Sequence, residues 1–167
     1  MTTTLPVPIA FELPDGWRAT PPDGVGAPGA AFVALHPHPH PEAGFTANIT
    51  VDGAFRPDAA TLPEIADESV ENLRGSAASV DIAERREVGS EEAPGLTQTL
   101  AISAVAGGAL RDLIQSQVYL SMLDVDDPDK RAVIRLILTV TASQHRDVVE
   151  DFRDFVRTVR PDSGATS

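Results

Sequence analysis

The stretch that decides the fold contains four extended segments, which read SVDIAERREV (79–88), LTQTLAISAV (96–105), LRDLIQSQVYLSML (110–123) and RAVIRLILTVT (131–141). Short runs rich in Gly, Pro, Asp and Glu separate these segments, as is typical of turns. Connections this short join antiparallel neighbours, because a parallel crossover needs about a dozen residues. The stretch therefore predicts a four-stranded antiparallel meander.

Three further strands are predicted upstream of the meander. Apolar residues alternate over 7–13, return at 30–36 and occupy every second position of 45–51. Pro, Asp and Gly at 14–16 predict a turn after the first of these strands. Trp17 follows the turn, and we expect it to anchor the core.

The segment after the early strands predicts an amphipathic helix. Thr61 and Glu64 have the spacing of a capping box at its start, and Gly75 ends it. The residues at 3.6-residue spacing on its buried face are Leu62, Ile65, Ala66, Ser69, Val70 and Leu73.

A second helix is predicted after the meander. It runs from about 144 to 159, with Ser143 as its N-cap and Pro161 beyond its end. Its buried stripe comprises Val148, Val149, Phe152, Phe155, Val156 and Val159.

Two principal helices and one mainly antiparallel sheet of six or seven strands predict the α+β class, arranged as an α/β/α sandwich. A chain of 167 residues has the length of one domain. We expect that domain at 7–160, with flexible tails at 1–6 and 161–167.

Charge and composition narrow the classes of partner. The chain carries 25 acidic and 13 basic side chains, for a net charge of −12. Nucleic acid and anionic membrane surfaces repel a field of that sign, so neither is expected as a partner. The chain has no Cys, and no apolar stretch is long enough to insert in a membrane. The N-terminal residues contain no secretion signal, so a cytoplasmic location is expected.

Four short stretches resemble the Mog1/PsbP-like superfamily, and within it the LpqN-type proteins of actinobacteria. They are FELPDGW (11–17), NITV (48–51), QSQVY (115–119) and DFRDFV (151–156). The resemblance implies the superfamily fold and a non-catalytic role. Members serve as a nucleotide-release factor for a small GTPase, an extrinsic photosystem subunit, envelope lipoproteins and effector chaperones. LpqN-type proteins usually carry a signal peptide and a lipobox Cys, which this sequence lacks.

The local motifs predict no catalytic residue, metal or cofactor. His36, His38 and His40 alternate with Pro and would share one side of a strand that could bind Zn, Ni or Cu. We interpret this run instead as a stiff solvated turn, because no acidic cluster adjoins it to orient the rings. The Gly-rich segment at 24–29 precedes a strand rather than a helix, which excludes a dinucleotide site.

One face of the predicted sheet has the composition of a recognition surface. Arg111, Gln115, Gln117 and Tyr119 alternate along one strand, and Arg135 lies on the next. Tyr and Arg are enriched in interface hot spots, so we predict that these five side chains bind a partner. The alternative is that a helix covers this face and that Arg135 pairs with an acidic residue.

The leading functional hypothesis is a non-catalytic protein-binding module or adaptor. A chaperone for a secreted or membrane-associated client is one form of it, and a homodimer is compatible with it. A small-ligand carrier with a pocket between sheet and helix is the first alternative. An enzyme of unknown class is the second.

Overall fold

The computed structural model describes residues 9–20, 31–36, 47–55, 60–75, 77–89, 94–106, 109–123 and 131–161. The strands and helices in chain order are β1 (Ile9–Ala10), β2 (Arg18–Thr20), β3 (Phe32–Leu35), β4 (Asn48–Phe55), α1 (Leu62–Arg74), β5 (Ser79–Gly89), β6 (Pro94–Ala106), β7 (Ala109–Leu123), β8 (Arg131–Thr141), α2 (Ala142–Thr158) and β9 (Arg160–Pro161).

Seven strands form one antiparallel sheet in the order β2-β3-β4-β8-β7-β6-β5. The predicted meander is confirmed, since β5, β6, β7 and β8 are consecutive neighbours. The register of β5 against β6 shifts between Ile82 and Glu84, which is a β-bulge in the edge strand. Strands β1 and β9 form a separate two-stranded ribbon.

The two helices cover opposite faces of the sheet, as the alternation of side chains requires. Helix α2 packs on Val118, Leu136 and their neighbours. Helix α1 packs on Tyr119 and Val133, which lie one and three positions from Val118 and Leu136 along the same strands and so face the other way. The α+β class and the sandwich of two helices around one sheet are confirmed.

Residues 9–17 contain less strand than the alternation of 7–13 predicts. Of the strand expected at 7–13, the described part is extended only at β1, and Phe11 packs against the α2-side core instead. The predicted turn is confirmed by the positive φ of Gly16, 83°, and by the bond from the amide of Trp17 to the carbonyl of Pro14. Trp17 is buried, as expected, and its Nε1 donates to Asp151 at 3.0 Å.

The prediction of Ser143 as the N-cap of the second helix is wrong. Helix α2 begins at Ala142, and Thr141 is its N-cap. The Thr141 hydroxyl accepts from the Gln144 amide, and the Gln144 side chain accepts from the Thr141 amide. This reciprocal capping box holds the helix start at the last residue of β8, two residues before the predicted cap.

Helix α1 agrees with its prediction. Thr61 is the N-cap, with its side chain accepting from the amide of Glu64 at 3.2 Å, and Gly75 follows the last turn. Neither α1 nor α2, the helices of the described ranges, is both long and apolar enough to cross a membrane.

Candidate functional site

A continuous chain of hydrogen-bonded side chains crosses the α1 side of the sheet, from β4 to β5. We call it the polar chain. It comprises Asp52, Arg135, Ser69, Tyr119, Gln117, Gln98, Arg85 and Asp67.

Arg135 and Asp52 form the first link. They are directly opposite in the register of β8 and β4, and the Nε and Nη2 of Arg135 donate to the two carboxylate oxygens. The Arg135 Nη1 donates to the Ser69 hydroxyl at 2.9 Å. Burial acts to lower the pKa of Arg135, but its hydrogen bonds to Asp52 and the negative charge of Asp52 outweigh that effect, and the pKa is raised. The guanidinium is therefore a permanent cation that ties two strands to α1.

The hydroxyl of Tyr119 is the second link. It lies 2.7 Å from the Ser69 hydroxyl and 2.6 Å from Oε1 of Gln117. An amide oxygen can only accept, so the single Tyr119 proton goes to Gln117 and Ser69 donates to Tyr119. Burial raises the pKa of Tyr119, against the lowering effects of the Ser69 hydrogen bond and the Arg135 charge. Tyr119 is consequently a neutral donor across the physiological range.

Two glutamines carry the chain to the edge strand. Oε1 of Gln117 also accepts from Nε2 of Gln98 at 2.7 Å, and Oε1 of Gln98 accepts from Nε and Nη2 of Arg85. Arg85 in turn donates to Asp67 of α1 at 2.8 Å. The polar chain therefore begins and ends on an Arg–Asp pair, and α1 contributes a residue near each end.

A cleft of about 260 Å³ opens beside the first link, between α1 and strands β4, β7 and β8. Arg135 donates to both carboxylate oxygens of Asp52 and to the Ser69 hydroxyl, and its guanidinium also interacts with the Tyr119 hydroxyl. The Arg135 side chain is 31% exposed and lines this cleft. The residues that line the cleft are Asp52, Gly53, Ala54, Ile65, Glu68, Ser69, Asn72, Tyr119, Val133 and Arg135.

Part of the polar chain was detectable in the sequence. Ser69 is a polar residue in the apolar stripe of α1, and it is buried. Gln98 sits between Leu96 and Leu100 in the alternation of β6, which requires it to face the core. A buried polar side chain needs a hydrogen-bond partner, so both positions indicated a hydrogen-bonded site. Sequence reasoning missed them, together with Asp52, Asp67 and Arg85.

The structure brings some of the predicted partner-binding residues together and leaves others apart. Tyr119 is opposite Arg135 on β8, as expected for one face. Gln117 is buried at the next position on the same face. Gln115 is half-buried, accepts from Nε2 of Gln117 and donates to Thr139 at 3.2 Å, so it is a side branch of the polar chain. Arg111 lies about 26 Å from Tyr119 along β7. The alternative interpretation, a helix-covered face with Arg135 paired to a carboxylate, describes this arrangement, and the role of the five residues in partner binding stays a prediction.

The histidine run adds no metal site to the described part of the chain. The rings of His36 and Trp17 meet edge-to-face, with their centroids 5.2 Å apart. His38 and His40 lie outside the described residues. Within the described ranges, no three His, Asp or Glu side chains are grouped to hold a metal ion.

The α2 side of the sheet is covered over only part of its width. Helix α2 packs on β8 and β7, and the side chains of β6 and β7 that lie beyond it reach solvent. We call this surface the open half-face. It comprises Thr97, Thr99, Ala101, Ser103 and Val105 of β6 and Leu110 and Asp112 of β7.

The open half-face ends in a projecting hairpin. Strand β5 pairs with β6 only from Ser103, and β8 pairs with β7 only from Leu113, so the hairpin end extends past both neighbours. Val105 and Leu110 are directly opposite each other there. They are 73% and 64% exposed, more than the other large apolar side chains of the described residues.

No family model and no curated protein matches the chain by sequence. Solved structures do match it. LpqN, involved in cell envelope biogenesis of Mycobacterium tuberculosis, is 13% identical with a TM-score of 0.62, over 92% of this chain and 83% of that one. The Ran-binding protein Mog1p of Saccharomyces cerevisiae is 16% identical with a TM-score of 0.58, over 92% and 89%. Cyanobacterial PsbP (CyanoP) of Synechocystis is 14% identical with a TM-score of 0.57, over 92% and 86%.

Proposed function

We propose that this chain, which has the Mog1/PsbP-like fold, is a non-catalytic protein-binding module whose principal contact surface is the open half-face. The observation that carries the proposal is the exposure of Val105 and Leu110 as a cross-strand pair at the end of a projecting hairpin. Contiguous exposed apolar surface marks interaction sites, whereas apolar residues scattered singly do not. A partner that covers this pair removes apolar surface from water.

The α1 side supports the same role indirectly. The polar chain anchors α1 to five strands and so keeps the domain rigid, which lowers the entropic cost of binding. We assign Tyr119, Gln117 and Arg135 to this anchoring. Gln115 and Arg111, which are half-buried on the same strand, are proposed as secondary contacts at the margin of α1.

The partner is proposed to be a protein, because a net charge of −12 repels nucleic acid and anionic bilayers. Chaperoning of a secreted or membrane-associated client is a specific form of this role. It predicts that the client aggregates when this protein is removed.

An affinity pull-down with matched variants tests the proposal. Val105→Lys combined with Leu110→Lys places two charges on the hairpin, whereas Ile82→Lys places one on an exposed apolar site of the opposite face. A partner retained by the wild type and by Ile82→Lys, but lost by the double variant, is the expected result. Equal retention by all three folded proteins would reject the hairpin as the contact.

A second candidate function, a small-ligand carrier, is favoured by the cleft beside Arg135. Its volume of about 260 Å³ suits a small polar metabolite, which the part-exposed guanidinium of Arg135 can contact. A thermal-shift screen of polar metabolites tests this function. Ala54→Trp fills the mouth of the cleft and should abolish a genuine shift, while Ala101→Trp on the other face should not.

A further inference from the structure

We infer that the open half-face receives a single amphipathic helix of the partner, laid beside α2 and along strand β6. The inference rests on the proposed protein-binding function and adds the kind of element that is bound. The bound helix would cover the part of this sheet face that α2 leaves open.

The dimensions of the open half-face suit one helix. Strands lie about 4.8 Å apart, so the interval from β5 to β7 is about 10 Å, and a helix with its side chains is about 10 Å across. The nine residues from Thr97 to Val105 extend about 30 Å. Helix α2, with 17 residues, covers about 26 Å of the same face.

One flank of α2 forms a wall along the open half-face, and the two together make a groove. Asp151 accepts a hydrogen bond from Trp17, which marks the flank that faces the β2 edge of the sheet. At 100° per residue, the opposite flank carries His145, Val149 and Val156, and all three are half-buried. Two of them are apolar, so the wall can take the apolar stripe of a helix.

The floor of the groove permits a close approach. Thr97, Thr99, Ala101 and Ser103 are small and uncharged, and none is fully buried. Small side chains on the strand let the backbone of an overlying helix come near the sheet. The apolar end at Val105 supplies an anchor for a large side chain.

The charges around the open half-face determine which charged residues a complementary helix carries. On the β5 rim, Asp81 is exposed and directly opposite Ala101, whereas Glu84 and Arg86 form an ion pair with each other at 3.1 Å. Asp112 of β7 is exposed opposite Ser103. On the α2 rim, Arg146 is exposed next to the flank of Val149. A complementary helix therefore carries Lys or Arg where it faces Asp81 and Asp112, and Glu or Asp where it faces Arg146.

A second copy of this chain is a poorer occupant of the surface. The open half-face measures about 300 Å², so two copies stacked through it would bury about 600 Å². Specific interfaces bury about 1,200 Å² or more. A partner helix buries less sheet but adds contacts with the flank of α2.

Site-specific photocrosslinking in the native lysate tests the inference. The chain has no Cys, so Ala101→Cys and the control Ile82→Cys each place one benzophenone maleimide, on opposite faces of the sheet. The expected result is a crosslink at position 101 to a segment with apolar residues at 3.6-residue spacing and the two charged flanks. A synthetic copy of that segment should gain helical circular dichroism on binding the wild-type protein. Ala101→Arg should weaken its affinity at least tenfold, and Ile82→Arg less than twofold.

The other outcomes separate the inference from the proposed function. A partner crosslinked at position 101 through an extended segment, or through a second copy of this chain, would overturn the helix inference and leave a protein-binding module. Crosslinking only at position 82 would overturn the inference and the assigned surface. No partner at either position would overturn the inference and the proposed function together.

Discussion

Replacing Gln117 with Leu tests whether the polar chain holds the α1 side together. Oε1 of Gln117 accepts from the Tyr119 hydroxyl and from Nε2 of Gln98, and all three side chains are buried. Leu has a similar volume but no acceptor, so Gln117→Leu leaves two buried donors without a partner.

The expected loss of stability follows from those two donors. Each buried donor without an acceptor costs about 1–3 kcal/mol. Two of them cost about 4 kcal/mol, and the greater apolar surface of Leu offsets about 1 kcal/mol of that. We expect Gln117→Leu to lower the free energy of unfolding by about 3 kcal/mol, and the melting temperature by about 6–12 °C. Gln115→Leu removes one acceptor, that of Nε2 of Gln117, at a half-buried position that water can reach, so it should cost less, about 1–2 kcal/mol.

Urea denaturation followed by the fluorescence of Trp17 measures these differences. Trp17 is the single Trp of the chain and is buried in the α2-side core, away from the substitution. A Gln117→Leu protein within about 0.5 kcal/mol of the wild type would refute the reasoning. The double variant Gln117→Leu with Tyr119→Phe removes a donor together with its acceptor, so it should recover part of the loss.

Three further predictions concern single groups. Because burial raises the pKa of Tyr119 above its ordinary value of 10.0, the stability it contributes is complete below pH 10 and is lost as the pH rises through the folded-state pKa. Absorbance at 295 nm reports this single Tyr, and a Tyr119→Phe protein with the same alkaline loss of stability would contradict the assignment. Arg135→Met should cost about 2 kcal/mol, between the values for exposed and buried pairs, and a double-mutant cycle with Asp52→Ala that finds no coupling would disprove the first link. Thr141→Ala should cost about 1 kcal/mol as the loss of an N-cap, and Ser143→Ala should cost less; thermal melts that reverse this order would move the helix start.

The order and type of the main elements were predictable from local patterns. The four meander strands and helix α1 fall within a few residues of their predicted bounds, because alternation and helical spacing are properties of adjacent residues. The resemblance to Mog1/PsbP-like proteins, seen in four short stretches, is confirmed at the level of the fold. Strand β2 was not predicted, since three residues are too few for a periodic signal. The start of α2 was misplaced because Thr141 is both the last residue of β8 and the N-cap of the helix.

Only the tertiary structure decided which polar residues meet and which surface stays open. Asp52 and Arg135 are 83 positions apart, and their pairing depends on the register of β4 against β8, which neither segment specifies alone. The predicted recognition face was read from composition, but whether a helix covers a face depends on how the whole layer packs. The sequence by itself thus determined the periodicities and so the class of fold. Long-range register and layer packing assembled the polar chain beneath α1 and left Val105 and Leu110 exposed, because those contacts join residues that local patterns do not relate.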